Sequence, residues 1–141
     1  MHMRREIRAP GVAEPISHYC DAVEANGLLF VSGCPATDEH GNLVGGDDTV
    51  AQCEQVLRNL GAILAAAGCT PQDVVKVNVY LTNVDDRPLI NPLRQAFFGE
   101  ARPASTLVGV KELPVPGMKV EIEAVAVLPE ARALQRSGSG P

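Results

Sequence analysis

The chain has 141 residues, 45% of them hydrophobic and 21% charged, with a formal net charge of −5. That length makes one domain with a real core, and an acidic chain with no Lys/Arg cluster is not built to bind nucleic acid. No apolar run approaches the ~20 residues of a membrane span and no signal-peptide pattern opens the chain, so a cytoplasmic protein with no membrane partner is expected.

Residues 1–130 are expected to form the domain and residues 131–141 a tail. Arg136–Pro141, RSGSGP, is of low complexity and expected to be disordered or, with Met1-His2, a cloning remnant. Cys20, Cys34, Cys53 and Cys69 are scattered without CxxC spacing. This argues for reduced thiols, against a disulfide framework, and against a zinc site; no metal or other cofactor is expected.

Met3–Ile7 reads as a short edge strand, and the stretch to Val23 as a loop feeding a strand. Within it His18, Cys20 and Asp21 superficially resemble a Cys–His nucleophilic pair, but no third group visibly orients the histidine. Asp21–Ala25 and Leu28–Gly33 flank Asn26-Gly27, a two-residue type I′ turn signal, and predict a hairpin. Gly33 at the strand end is either a bulge or a place where backbone approaches a ligand. Asp38–Gly46 reads as a surface loop.

Asp47-Asp48 and Gly68 bracket a helix to about Ala67, with Val50, Cys53, Leu57, Leu60 and Leu64 as its buried stripe. Val74–Leu81 reads as a strand with Val75, Val77, Val79 and Leu81 on one face. Pro92 argues against a helix running through it, so the second helix is expected to start with Asn91 as cap and Pro92 in its first turn. Phe97 and Phe98 are expected to anchor that helix to a sheet.

Pro103–Val127 then reads as two strands joined by a short connection rich in proline and glycine. In the second, Val120, Ile122, Ala124 and Ala126 alternate with Glu121, Glu123, Val125 and Val127. The acidic pair has two readings on pattern alone: a strand passing from a wet rim into the core, or a carboxylate at the mouth of a cleft with its pKa raised for proton transfer. The order of elements gives an α+β class, a mixed sheet with both helices on one face. The other face keeps Val, Ala and Ile with no helix to cover it, which implies a homo-oligomer.

Several stretches together resemble the reactive intermediate deaminase (RidA/YjgF) superfamily. They are YCDAV at Tyr19–Val23, LFVSG at Leu29–Gly33, the long helix with Gln52 and Asn59, VVKVNVYLTNVDD, Asn91 with AFF, PAS, and VEIEAVAV. The resemblance spans roughly Arg8 to Leu128. It implies a chorismate-mutase-like mixed sheet carrying two helices, assembled as a trimeric barrel with a cleft at each subunit boundary. It also implies hydrolysis of a small enamine or imine to a carbonyl compound and ammonia, without a cofactor. On this resemblance Glu121 positions the water, and Tyr19, Ser32, Gly33 and Asn91 line the cleft.

The chain departs from the family pattern where an arginine usually pairs with the substrate carboxylate: Ser105 stands there, and a hydroxyl cannot make that bidentate pair. Cys34 replaces a usual glutamine and Leu107 a common cysteine, so both re-line the pocket. Arg94, one turn after Asn91, is either a relocated guanidinium or a solvated helix arginine. Two functions follow: a deaminase for imines lacking the carboxylate handle, or a non-catalytic trimeric module binding a small metabolite in the same clefts. Ribonuclease action, also attached to the family, is the weakest reading for an acidic chain.

Overall fold

The computed structural model describes residues 4–131, so Met1-His2 and all of the expected 131–141 tail beyond Ala131 lie outside the described residues. Its six strands are β1 (Arg5–Ile7), β2 (Ala22–Ala25), β3 (Leu28–Cys34), β4 (Val74–Leu81), β5 (Ala104–Gly109) and β6 (Val120–Val127). They form one sheet in the order β1-β2-β3-β6-β4-β5, antiparallel throughout except for the parallel pair β4/β5. The helices are α1 (Thr49–Ala66) and α2 (Arg87–Phe98).

The turn between β2 and β3 has Asn26 and Gly27 at φ 52° and 79°, the mirror-image conformation that suits strand twist. At the start of α1 the Asp48 carboxylate accepts from the amides of Val50 and Ala51, and Gly68 just beyond its end takes φ 76°. The buried stripe is wider than expected: Thr49, Gln52, Val56, Asn59 and Ile63 join Cys53, Leu57, Leu60 and Leu64, while Val50 is half-buried.

The sequence expectation fails in three places. First, α2 begins at Arg87, with Pro88 in its first turn, and runs through Pro92; Asn91 is an exposed residue inside it, not its cap. Pro92 costs one hydrogen bond to the carbonyl four residues back, that of Pro88. Burial of Ile90 and Phe98, with Leu93 and Phe97 packed against the core, offsets that loss. Phe98 is buried, whereas Phe97 lies over Gly61 of α1, so only part of the pair points to the core between helix and sheet.

Second, the register of β4 shifts between Val74 and Lys76, which buries Val74 and leaves Val75 45% exposed. A bulge inserts one residue and moves everything before it to the other face. Third, β5 and β6 are not neighbours: β4 lies between them. The alternation of β6 is as read, with Val120, Ile122, Ala124 and Ala126 buried and the intervening residues half-buried. A strand covered on one face and partly on the other belongs in the centre, whereas β5 is exposed at all but one position and takes the edge.

α1 packs on β3 and β6, and α2 lies beside α1. The open face carries Val23, Phe30 and Val125 in one cross-strand row, then becomes polar at Glu121, Glu123, Asn78 and Tyr80. Phe and Val dominate its apolar part; Ile122, expected to contribute there by composition, is on the helix side. No helix among the described residues is long and apolar enough to cross a membrane.

Candidate active site

A cavity of about 550 Å³ opens beside the junction of β3 and β6. Tyr19, Ser32, Gly33, Cys34, Glu121 and Glu123 line it, with apolar walls from Val12, Ile63, Val115 and Met118. The local cause is a register shift between Val31 and Cys34, which frees Ser32 and Gly33 from regular pairing with β6.

Glu121 rests directly on that irregularity. A β-carbon placed at Gly33 would fall 2.6 Å from Glu121 Oε2, so the carboxylate occupies space that only glycine leaves open. Burial raises the Glu121 pKa above the ordinary carboxylate value, and the charge of Glu123 raises it further. Glu123 accepts hydrogen bonds from Asn78 Nδ2 at 2.9 Å and from the Tyr80 hydroxyl. The bond to Glu123, helped by burial, pushes the Tyr80 pKa up to about 12, so the phenol stays a donor. The two carboxylates of one strand face therefore differ in environment: Glu123 is held by donors, Glu121 faces the cavity.

The Ser32 hydroxyl donates to the Cys20 carbonyl at 2.6 Å, and the Ser32 amide donates to the Asp21 carbonyl at 3.0 Å. Its proton is thus committed, leaving the oxygen as an acceptor and a strut rather than a nucleophile. Tyr19 is 47% exposed, and its hydroxyl oxygen accepts from the Ile16 amide at 3.2 Å. The Cys34 thiol is enclosed and donates to the Ser32 carbonyl at 3.5 Å; burial, then the charges of Glu121 and Asp21, raises its pKa. It is a neutral wall, not a reactive thiolate.

His18, Cys20 and Asp21 do not form a catalytic set. Asp21 is buried and accepts from Arg8 Nη1 at 2.7 Å and from the Ala9 amide at 2.8 Å. His18 is exposed, and the Cys20 thiol donates to the Ala22 carbonyl. Arg8 also donates to the Val12 carbonyl at 2.6 Å, so it and Asp21 strap down the segment that carries Tyr19. Sequence reasoning missed this strap because its partners lie 13 residues apart in a loop. It also missed Tyr80 and Asn78 as holders of Glu123, although their place on one face of β4 was a usable signal.

A second group of expected residues lies elsewhere. Asn91 and Arg94 are on α2, Ser105 and Leu107 on β5, and none lines the cavity. Arg94 Nη2 donates to Ser105 Oγ at 2.8 Å. Ser105 pairs with Val77, whose side chain is in the core under the helices, whereas Glu121 pairs with Tyr80 on the open face. The two groups therefore occupy opposite faces of the sheet.

A family model described as Endoribonuclease L-PSP matches residues 8–128. A RutC family protein of Aquifex aeolicus is 40% identical over 126 residues, covering 87% of this chain and 98% of that protein. A 2-iminobutanoate/2-iminopropanoate deaminase of Dermatophagoides farinae is 34% identical over 128 residues, covering 91% and 99%. The crystal structure of RidA from an Antarctic Psychrobacter has a TM-score of 0.82 and 35% identity, covering 88% of this chain and 99% of that one.

Proposed function

From the premise that the chain belongs to the Endoribonuclease L-PSP family of RidA/YjgF proteins, we propose that it hydrolyses a small imine or enamine to a carbonyl compound and ammonia. The deaminase name carried by a relative of 34% identity supports this reaction class. The observation that carries the assignment to a residue is the Glu121 carboxylate lying over Gly33 at the cavity with a raised pKa.

An iminium carbon is already electrophilic, so the protein must position a water, accept its proton and keep other nucleophiles away. Glu121 takes a proton from the attacking water as oxygen bonds to the carbon. The protonated carboxyl then gives that proton to the amine nitrogen, and as the C–N bond breaks the carbinol O–H returns its proton to the carboxylate, so that the carbonyl compound and ammonia leave. A carboxyl pKa raised towards neutrality suits a group that both takes and gives a proton. The Tyr19 hydroxyl, with its oxygen already accepting, is free to donate to the substrate.

The working assembly is a homotrimer whose sheets face one another, so that Asn91, Arg94, Ser105 and Leu107 of one copy meet the Glu121 cavity of the next. Support comes from the opposite placement of the two groups in one chain and from the exposed row on the open face. The test is ammonia release, or semicarbazide trapping, with 2-iminobutanoate generated in place. Glu121→Gln is expected to lower the rate by about 10²-fold or more while leaving the molar mass by light scattering unchanged. Absence of turnover by the wild-type oligomer, with 2-iminobutanoate and with a neutral imine alike, would leave the non-catalytic binding module.

A further inference from the structure

The segment that brings Tyr19 to the cavity has little of its own to hold it. Residues 13–19 contain no helix or strand, and Ile16 is 67% and Tyr19 47% exposed. Among the described residues their hydrogen bonds stay inside the segment: the Tyr19 amide donates to the Ser17 carbonyl and the Ile16 amide to the Tyr19 hydroxyl. Yet Ala13, Glu14, Ile16, Ser17 and Tyr19, with Val12 before them, line one wall of the cavity. The ends of the segment are tied instead, and both ties pass through Asp21. Its carboxylate, 4% exposed, accepts from the Ala9 amide and from Arg8 Nη1. Arg8 Nη2 then donates to the Val12 carbonyl and lies 3.3 Å from Glu14 Oε1. The Asp21 carbonyl accepts from the Ser32 amide at 3.0 Å, and Ser32 adjoins Gly33, over which the Glu121 carboxylate lies.

We propose that Asp21, through Arg8, is a positioning residue for the reaction: the pair closes the neck of the loop and so sets the place of the Tyr19 hydroxyl relative to the Glu121 carboxylate. Residues 9–21 form a closed loop of the Ω kind, stiffened by Pro10 and Pro15 and without glycine after Gly11. A stiff loop held at its neck moves as a unit, so a change at the neck displaces Tyr19 against the strand end beneath Glu121. A displacement of an ångström is enough to slow a reaction that depends on alignment. Taking the Asp21 carboxylate out of water is costly, and such ion pairs are often no more stabilising than apolar side chains of similar volume. What this one supplies is geometry. The inference rests on the proposed deaminase reading, in which Tyr19 donates to the substrate and Glu121 moves the proton.

The test is a double-mutant cycle in turnover of 2-iminobutanoate by the intact oligomer. Asp21→Asn keeps the shape and an acceptor for the Ala9 amide but removes the charge that holds Arg8. It is expected to lower kcat about tenfold while KM changes less than about threefold. Arg8→Leu should match it, and Arg8→Lys should recover part of the rate. In a Tyr19→Phe background Asp21→Asn should have no further effect, because its action runs through the hydroxyl already removed. A wild-type kcat in Asp21→Asn overturns the proposal, and so does an equal loss with and without the Tyr19 hydroxyl. A second readout needs no turnover. The chain has two tyrosines and no tryptophan, so Tyr80→Phe leaves Tyr19 as the single reporter. In that background Asp21→Asn should lower the fluorescence anisotropy of Tyr19, and an unchanged value overturns the proposal. The two readings therefore fail separately: a wild type without turnover sinks the hydrolysis, and the anisotropy decides the positioning. If Asp21→Asn does not fold, the Arg8 variants carry the same cycle.

Discussion

Glu121 ionises at a cost to the fold. Its pKa is raised in the folded chain, so its contribution to stability is fully present below the unfolded value of roughly 4.3 and is lost as pH rises through the higher folded value. Glu121→Gln should therefore melt above wild type at pH 7, with the gap closing below roughly pH 4, as well as losing activity. Glu123 shapes the same titration. In Glu123→Gln the amide oxygen still accepts from Tyr80 and Asn78, but the negative charge beside Glu121 is gone. In the proposed mechanism Glu121 acts as a base when ionised, so activity is expected to rise with pH through its pKa. The acidic limb of the kcat/KM profile should move to lower pH in Glu123→Gln. An unmoved limb would mean that burial alone sets the Glu121 pKa. The two Glu side chains have the same sequence pattern, and their different environments come from β4, 41–45 positions away. Pattern alone left the pair ambiguous; the family resemblance singled out Glu121, and the two readings of Arg94, relocated guanidinium or solvated helix arginine, could be weighed only once α2 was seen to lay it on Ser105.

Among elements, α2 carries an avoidable weakness. Pro92 leaves the Pro88 carbonyl without its helical partner, and Pro92→Ala restores it. Allowing for the larger conformational freedom of the unfolded alanine chain, the variant should gain about 1 kcal/mol or more, read as a higher urea midpoint at unchanged slope. A lower midpoint would show that the Pro88 carbonyl is already satisfied by another group. Local signals were legible: the Asn26-Gly27 turn, the Asp48 cap and the alternation of β6 each depend on residues within one or two turns of chain. The continuous α2 was not, because the apolar positions Ile90, Leu93, Phe97 and Phe98 outweigh a proline whose penalty is a single bond. Strand order was not legible either, since the insertion of β4 between β5 and β6 follows from which strands bury one face fully and the other in part, and which stays exposed.

For the whole molecule, the open sheet face is the feature that demands company. Phe30 is 45% exposed in a row with Val23 and Val125. A charge there should be tolerated by the fold and not by an assembly that buries the row. Phe30→Asp is expected to be a monomer by light scattering with wild-type circular dichroism, and to lose imine turnover with the partner's half of the cleft. A trimeric Phe30→Asp protein would rule out packing through this face. The placement of Glu121 and Arg94 on opposite sides of one sheet has, finally, a genetic consequence. Two alleles, each dead or crippled alone, should complement when co-expressed, because a Glu121→Gln chain can lend its arginine while an Arg94→Gln chain lends its carboxylate. Random mixing in the proposed three-fold ring would restore about a quarter of the clefts, whereas two lesions in the same half-site would restore none.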